Sequence, residues 1–295
     1  MPETQIIFIH GLANKPEPAQ LKRIWLESLA ADRKENPGFD ILTEGVHESF
    51  VYWADLFYDK PIESSQYENI EDELANSVAD VGKLASNDWT EKMRRKFKLD
   101  EEHPFEDIEE DDAPTYERVW LPSKLKKKLM QSFVVEAHDY LFDKNGVRGE
   151  IQKRVIKQIT KAKEKGRRIV LLGHSQGSFI AYDVLTGVKD CPEIDGFLTM
   201  GSPLGVDEVQ DGLVWTRSEG FPRKVIGDWI NVYDPLDPVA GFDPKLANDF
   251  KMNNEKKVID VKEYNWGKWR HSATKYFSGI KLRTHLRALA DRQEN

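Results

Sequence analysis

The chain has 295 residues and a formal net charge of −8, from 43 Lys and Arg against 51 Asp and Glu. This acidic balance lacks the basic footprint of proteins that neutralise nucleic-acid phosphates, so no nucleic-acid partner is expected. Hydrophobic residues make up 39% of the sequence, which is enough for a folded core and argues against wholesale disorder. The single cysteine, Cys191, excludes an internal disulfide framework and a cysteine-rich zinc site.

The N-terminal segment and the apolar runs bear on cellular location. The first fifteen residues contain one short apolar run with no basic leader before it, so no secretory signal is visible. No apolar run approaches the length needed to span a bilayer. These patterns predict a cytoplasmic protein without stable membrane insertion.

Residues 1–59 are predicted to begin a sheet domain. Residues 5–9 form an apolar run, typical of a buried strand, that leads directly into His10 and Gly11. A helix follows, and its apolar stripe comprises Leu21, Ile24, Trp25, Ser28 and Leu29. Turn residues at 36–38 end this helix, and the aromatic-rich run at 49–58 predicts a second strand.

Residues 60–145 have a different composition and are interpreted as a helical insertion, or lid, packed on the sheet domain. Two helical stripes precede an acidic stretch at 101–112 that is predicted to be a solvated loop. A further helix begins at Pro122 and Ser123. The two stripes comprise Ile70, Leu74, Val78 and Val81, and Trp89, Met93 and Phe97. An alternative is that the insertion is an arm through which the protein forms a homo-oligomer.

Residues 146–295 return to a regular alternation of helices and short apolar strands. The predicted strands are 169–172, 197–200, 229–233 and 258–261, and the last helix is predicted at 274–290. This alternation is typical of an α/β fold with a doubly wound, mostly parallel sheet covered on both faces. In such sheets the ligand crevice lies beyond the carboxyl ends of the strands.

The motif that carries chemistry is G-x-S-x-G at residues 173–177. It lies between an apolar strand and an amphipathic helix, the context of a nucleophile elbow that exposes a serine at the top of the sheet. Side chains at Gly173 and Gly177 would collide with neighbouring chain in such a turn. Ser175 is therefore the predicted nucleophile. The alternative is an ordinary glycine-rich turn.

A nucleophilic serine needs a histidine base and an acid that orients it, and here the expected chain order is Ser, acid, His. Two histidines follow at suitable positions. His271, in the loop after the last predicted strand, is preferred over His285, which lies inside the last helix. Asp234 and Asp237 follow the strand at 229–233, and Asp237 is the preferred acid.

Two backbone N–H groups are candidates for binding the negative charge that develops on a carbonyl oxygen. The N–H of Gln176 lies at a helix N-terminus directly after the serine. The second donor is expected in the loop after His10 and Gly11, with Leu12 preferred and Ala13 as the alternative. His10 is expected to support this loop, and His174 is also expected to be structural.

These segments resemble the α/β-hydrolase superfamily, particularly its bacterial lipase- and esterase-like members. The motifs FIHGL, LLGHSQGSFIAYDVL, GSPLG, NVYDPLDPVA and HSATKYF occur in the family's order. The resemblance implies a doubly wound sheet, a Ser175–Asp237–His271 triad and an oxyanion hole that includes Gln176. The leading antiparallel hairpin of the family is expected to be absent, and the insertion at 60–145 falls earlier than the common cap site.

The expected activity is hydrolysis of a carboxylic ester or thioester through an acyl-enzyme, without a metal or an organic cofactor. The substrate is expected to be a small-molecule or lipid-like ester. Three alternatives remain open: acyl transfer with the same triad, a non-catalytic binding protein with this fold, and a lipid-surface enzyme that docks through the insertion. The low mean hydropathy, −0.61, argues against constitutive membrane binding.

Overall fold

A computed structural model of the chain describes residues 2–33, 36–69, 87–101, 123–213, 220–250 and 256–291. The apolar stripe from Ile70 to Val81 lies outside these ranges, as does nearly all of the acidic stretch at 101–112. The helix and the loop predicted there therefore stay predictions. The boundaries proposed for the helical insertion are likewise a prediction.

A parallel sheet of six strands forms the centre of the described structure. The strands are β1 (Thr4–Ile9), β2 (His47–Val51), β3 (Arg168–His174), β4 (Gly196–Met200), β5 (Trp229–Tyr233) and β6 (Val258–Lys262). Their order across the sheet is β2-β1-β3-β4-β5-β6, and all five neighbouring pairs are parallel. The predicted α/β class and parallel sheet are confirmed.

Helices cover both faces of the sheet. In chain order they are α1 (Pro18–Ala30), α2 (Asp88–Lys96), α3 (Ser123–Leu141), α4 (Val147–Glu164), α5 (Gln176–Gly187), α6 (Asp207–Gly212), α7 (Ala273–Phe277) and α8 (Ile280–Asp291). Because successive side chains of a strand point to opposite faces, Ile6 and Phe8 pack with α1, α7 and α8, whereas Ile7 and Ile9 pack with α3, α4 and α5.

The strand order places a crevice between β1 and β3. The chain runs from β1 to β2 on one side and later returns to β3 on the other side of β1. The helix after β1 packs on one face of the sheet, and the helix after β3 packs on the opposite face. The carboxyl ends of β1 and β3 therefore form a topological switch point, the position at which doubly wound proteins bind ligands.

Helices α2 and α3, from the region interpreted as an insertion, share a hydrophobic cluster with the sheet. Trp89, Met93 and Phe133 are buried in the same cluster as Ile7. No helix within the described ranges is long and apolar enough to cross a membrane.

Two predicted elements differ from the structure. The strand predicted at 49–58 ends at Val51, because the N–H of Trp53 donates to Nε2 of His10 rather than to a neighbouring strand. The last helix is divided into α7 and α8. The buried carboxylate of Glu263 accepts the N–H groups of Lys281 and Leu282, and so caps the N-terminus of a separate helix.

Candidate active site

Ser175 lies at the sharp turn between β3 and α5. Its backbone has φ 53° and ψ −126°, a conformation that is unfavourable for a residue with a Cβ atom. A Cβ at Gly173 would lie 2.6 Å from Cα of Ser178, and one at Gly177 would lie 2.4 Å from the carbonyl oxygen of Ile9. Both motif glycines are therefore sterically required, as the strand–turn–helix pattern predicts.

Ser175, His271 and Asp237 form one buried, hydrogen-bonded chain. Nε2 of His271 lies 2.7 Å from Oγ of Ser175. Nδ1 of His271 lies 2.9 Å from each carboxylate oxygen of Asp237. An ionised carboxylate only accepts, so Nδ1 carries the proton and the unprotonated Nε2 can accept the Ser175 hydroxyl. The structure thus brings together the three residues that the sequence predicts.

The carboxylate of Asp237 is held in its ionised form. Although burial alone would raise its pKa, the neighbouring His271 and several hydrogen bonds hold the pKa below its ordinary value. The N–H groups of Val239 and Ala240 donate to Oδ1, and the hydroxyl of Tyr276 donates to Oδ2 at 2.8 Å.

Asp234, the alternative acid, has a different environment. One oxygen accepts the N–H of Leu236, and the other accepts the N–H of Asn265 and lies 3.1 Å from Nη1 of Arg270. Burial raises the pKa of Asp234 to about 6. These contacts stabilise the loop at 265–271, which carries His271. The other candidate base, His285, is half-buried on α8.

The loop after β1 lies directly against the nucleophile. A Cβ at Gly11 would come within 2.6 Å of Cβ of Ser175. Leu12 lines a pocket together with His271, and Gln176 is the first residue of α5. Gln176 is thus adjacent to Ser175 in the chain, and Leu12 follows the glycine that lies against Ser175. The role of these two N–H groups in binding an oxyanion stays a prediction. The N–H of Ala13, the alternative donor, is already bound to the carboxylate of Glu136.

Two buried histidines support the site without being part of the triad. His10 accepts the N–H of Trp53 at Nε2, so its Nδ1 carries the proton and donates to the carbonyl of Gly11 at 2.8 Å. His174 donates from Nε2 to the carbonyl of His271 at 2.9 Å. Burial lowers the pKa of both imidazoles well below the ordinary value, so both are neutral.

An open pocket of about 370 Å³, including solvent at its mouth, lies beside the imidazole of His271. Its walls are mainly apolar and aromatic, with the charged side chains of Lys15 and Glu68 among them. The lining residues are Leu12, Ala13, Lys15, Tyr67, Glu68, Leu129, His174, Trp269, His271, Ser272 and Ala273. The imidazole of His271 therefore borders a space where a substrate group could bind.

Sequence reasoning missed two residues that contact this site. Tyr276 lies five positions after His271 in HSATKYF, so its nearness to the histidine could have drawn attention to it. Glu136 lies in a separate helix and carries no sequence signal that relates it to the loop after β1.

Within the part of the chain that the structure describes, no group of three or more His, Cys, Asp and Glu side chains is arranged to hold a metal ion. Comparison with protein-family models and with curated proteins gave no match. The functional interpretation therefore depends on the geometry of the site.

Proposed function

We propose that this protein is a serine hydrolase with an α/β-hydrolase fold that cleaves carboxylic esters or thioesters through an acyl-enzyme. The observation that carries the proposal is the continuous chain from Oγ of Ser175 through His271 to Asp237. Its position at the carboxyl end of β3, beside the point where the strand order reverses, supports it further.

Each residue then has a defined role. His271 accepts the proton of Ser175 at Nε2 while Oγ attacks the acyl carbon, and Asp237 stabilises the resulting imidazolium. The N–H groups of Leu12 and Gln176 bind the oxyanion, and each such donor lowers the barrier by about 3 kcal/mol. His271 next protonates the leaving group. The same imidazole activates a water molecule, which releases the acid and restores Ser175.

The strained backbone of Ser175 favours a catalytic site over a binding site that merely shares the fold. A positive φ at a residue with a Cβ costs on the order of 1–3 kcal/mol, and such strain is concentrated at functional sites. A binding protein would have no need for a serine held in this conformation against an oriented imidazole.

A fluorophosphonate probe tests the proposal, because it phosphonylates only an activated serine. We expect one adduct per chain, located at Ser175 by peptide mass spectrometry and absent from Ser175→Ala. His271→Gln is expected to slow labelling by about 100-fold or more, since the general base is lost. His285→Gln, the matched histidine control on α8, should label like the wild type. A folded wild-type protein that does not react at Ser175 would contradict the proposal.

An ester and thioester panel then identifies the acyl and leaving groups. Hydrolysis releases free acid in equal amount to the leaving group. Acyl transfer, with the same triad, would instead yield an acylated acceptor, and analysis of the products separates the two reactions.

A further inference from the structure

The peptide unit between Leu12 and Ala13, in the loop against Ser175, is held at both ends by charged side chains. The carbonyl oxygen of Leu12 accepts a hydrogen bond from Nζ of Lys15 at 2.5 Å. The N–H of Ala13 donates to both carboxylate oxygens of Glu136, at 3.0 and 3.2 Å. The side chains of Lys15 and Glu136 therefore fix the orientation of this one peptide plane.

The backbone of Ala13 needs this support. Its φ is 69°, in the left-handed region that residues with a Cβ atom rarely adopt. The preceding peptide is also oriented, because the carbonyl of Gly11 accepts from His10. In a trans peptide the N–H points away from the carbonyl, so the N–H of Leu12 is directed away from the ring of His10.

Glu136 reaches this loop from α3, more than a hundred residues along the chain. Its side chain is fully buried, and besides the N–H of Ala13 it accepts the hydroxyl of Tyr58 at 2.6 Å. Burial raises the pKa of its carboxyl to about 7, while Lys15, on the loop, favours the ionised form and Asp139, on the same helix, opposes it. Burying a carboxylate costs free energy, so the placement of Glu136 against the N–H of Ala13 indicates a specific role for it at this loop.

We propose that Glu136 is a positioning residue for the hydrolase: it fixes the Leu12–Ala13 peptide so that the N–H of Leu12 can bind the oxyanion beside Ser175. The inference rests on the proposed function, and it assigns to the region interpreted as an insertion a part in transition-state stabilisation. Glu136 does not touch the substrate. It acts through the loop.

Glu136→Gln is the test, because glutamine keeps the shape and one acceptor oxygen but loses the charge and the second acceptor. Glu164→Gln is the matched control, since it makes the same change at an exposed carboxylate at the C-terminal end of α4, which precedes β3 at the end of the sheet opposite Ser175. For each variant, kcat and KM are measured with 4-nitrophenyl acetate, and the inhibition constant is measured with phenylboronic acid. The boronic acid forms a tetrahedral adduct with an active serine and so reports on the oxyanion site.

We expect Glu136→Gln to lower kcat by about tenfold or more with KM changed less than about twofold, and to weaken boronic acid binding by a similar factor. Glu164→Gln should match the wild type. An inactive, partly unfolded population would lower the apparent kcat without changing KM, but it would leave the inhibition constant of the boronic acid unchanged, so weaker boronic acid binding identifies an effect on the oxyanion site. A Glu136→Gln enzyme with wild-type kcat and boronic acid binding would overturn the inference.

Two further measurements keep the result interpretable. If Glu136→Gln does not fold, Glu136→Asp replaces it, because aspartate retains the charge but draws the carboxylate back by one methylene; the same outcomes then apply. Fluorophosphonate labelling of the wild type separates the two proposals. If Ser175 is not labelled, both fail, whereas normal labelling with an unimpaired Glu136 variant contradicts only the role of Glu136.

Discussion

The hydroxyl of Tyr276 donates to Oδ2 of Asp237 at 2.8 Å and accepts the N–H of Asp234 at 3.0 Å. The phenol thereby joins the carboxylate of the proposed triad to the carboxyl end of β5. Tyr276 itself is fully buried in the helix that directly follows the His271 loop. One side chain thus orients the acid from the helix that begins two residues after the base.

Tyr276→Phe should lower activity while leaving the fold intact. It removes a hydrogen bond to a charged group, which is worth about 1.5–3 kcal/mol, and leaves the N–H of Asp234 without its acceptor. We expect kcat/KM to fall by about tenfold, and the free energy of unfolding to fall by about 1–2 kcal/mol. Steady-state kinetics and urea denaturation measure the two effects. Unchanged kcat/KM would mean that the other contacts of Asp237 suffice to orient it.

Gly11→Ala should abolish activity for a steric reason. The new Cβ would lie 2.6 Å from Cβ of Ser175, so the loop or the serine has to move. We expect kcat/KM to fall by about 100-fold or more, since misplacement by about 1 Å can cost that much. Gly149→Ala is the control, because its Cβ would meet nothing within 4 Å. That variant should retain full activity and gain about 0.5–1 kcal/mol of stability, since alanine is the better helix former.

The stability of the protein should depend on the ionisation of Glu136. Burial raises the pKa of this carboxyl to about 7, from an ordinary value of 4.5. The native state therefore binds the proton more tightly than the unfolded chain does. The stability contributed by Glu136 is fully present below about pH 4.5 and is lost as the pH rises through about 7.

Urea denaturation at about pH 5 and about pH 8 measures this contribution. Because of Glu136, we expect the free energy of unfolding of the wild type to be about 2–3 kcal/mol lower at about pH 8 than at about pH 5. Asp234, whose pKa burial raises to about 6, changes stability in the same direction in both proteins. The difference between the wild type and Glu136→Gln isolates Glu136, and equal pH slopes in the two proteins would contradict the prediction.

Arg283→Met should destabilise the protein without touching the site. The buried guanidinium of Arg283 donates to five backbone carbonyls, those of Ser28, Ala31, Asn36, Pro37 and Phe277. Methionine would remove all five hydrogen bonds, although the carbonyl of Asn36 would still accept the N–H of Arg33, and we expect a loss of about 3 kcal/mol or more in the free energy of unfolding. Arg287→Met, one turn later with an exposed ion pair to Glu44, should cost less than about 1 kcal/mol. Equal losses in the two variants would argue against a special role for Arg283.

The strands and turns that carry the site could be predicted because the sequence patterns that indicate them are local. The order of the triad residues follows from their order along the chain. Five of the six strands contain a short apolar run, whereas β2 begins with His47 and Glu48, and the glycines around Ser175 mark the turn between a strand and a helix. His271 was preferred because it lies in a loop and His285 lies in a helix. That prediction relied only on helix periodicity and on where parallel strands end.

Contacts between distant segments could not be predicted. Asp234 and Asp237 follow the same strand, and only the path of the loop decides which of them meets the imidazole. Glu136 is 123 positions from Ala13, and no pattern in the sequence pairs them. Because Glu136 binds the N–H of Ala13, this N–H is not free to act as the alternative oxyanion donor. Only that contact between distant segments shows it.

The inner position of β1 has a consequence for the order in which the molecule can form. Gln5 pairs with His47 on one side and with Ile169 on the other, so β1 is synthesised well before β3, one of its two neighbours in the sheet. Until β3 has been synthesised, one edge of β1 has no hydrogen-bonding partner. The loop after β1 also lacks the Ser175 turn against which it packs in the folded protein. A nascent chain should therefore depend on protection of this edge, and reactivity at Ser175 should arise only late in synthesis.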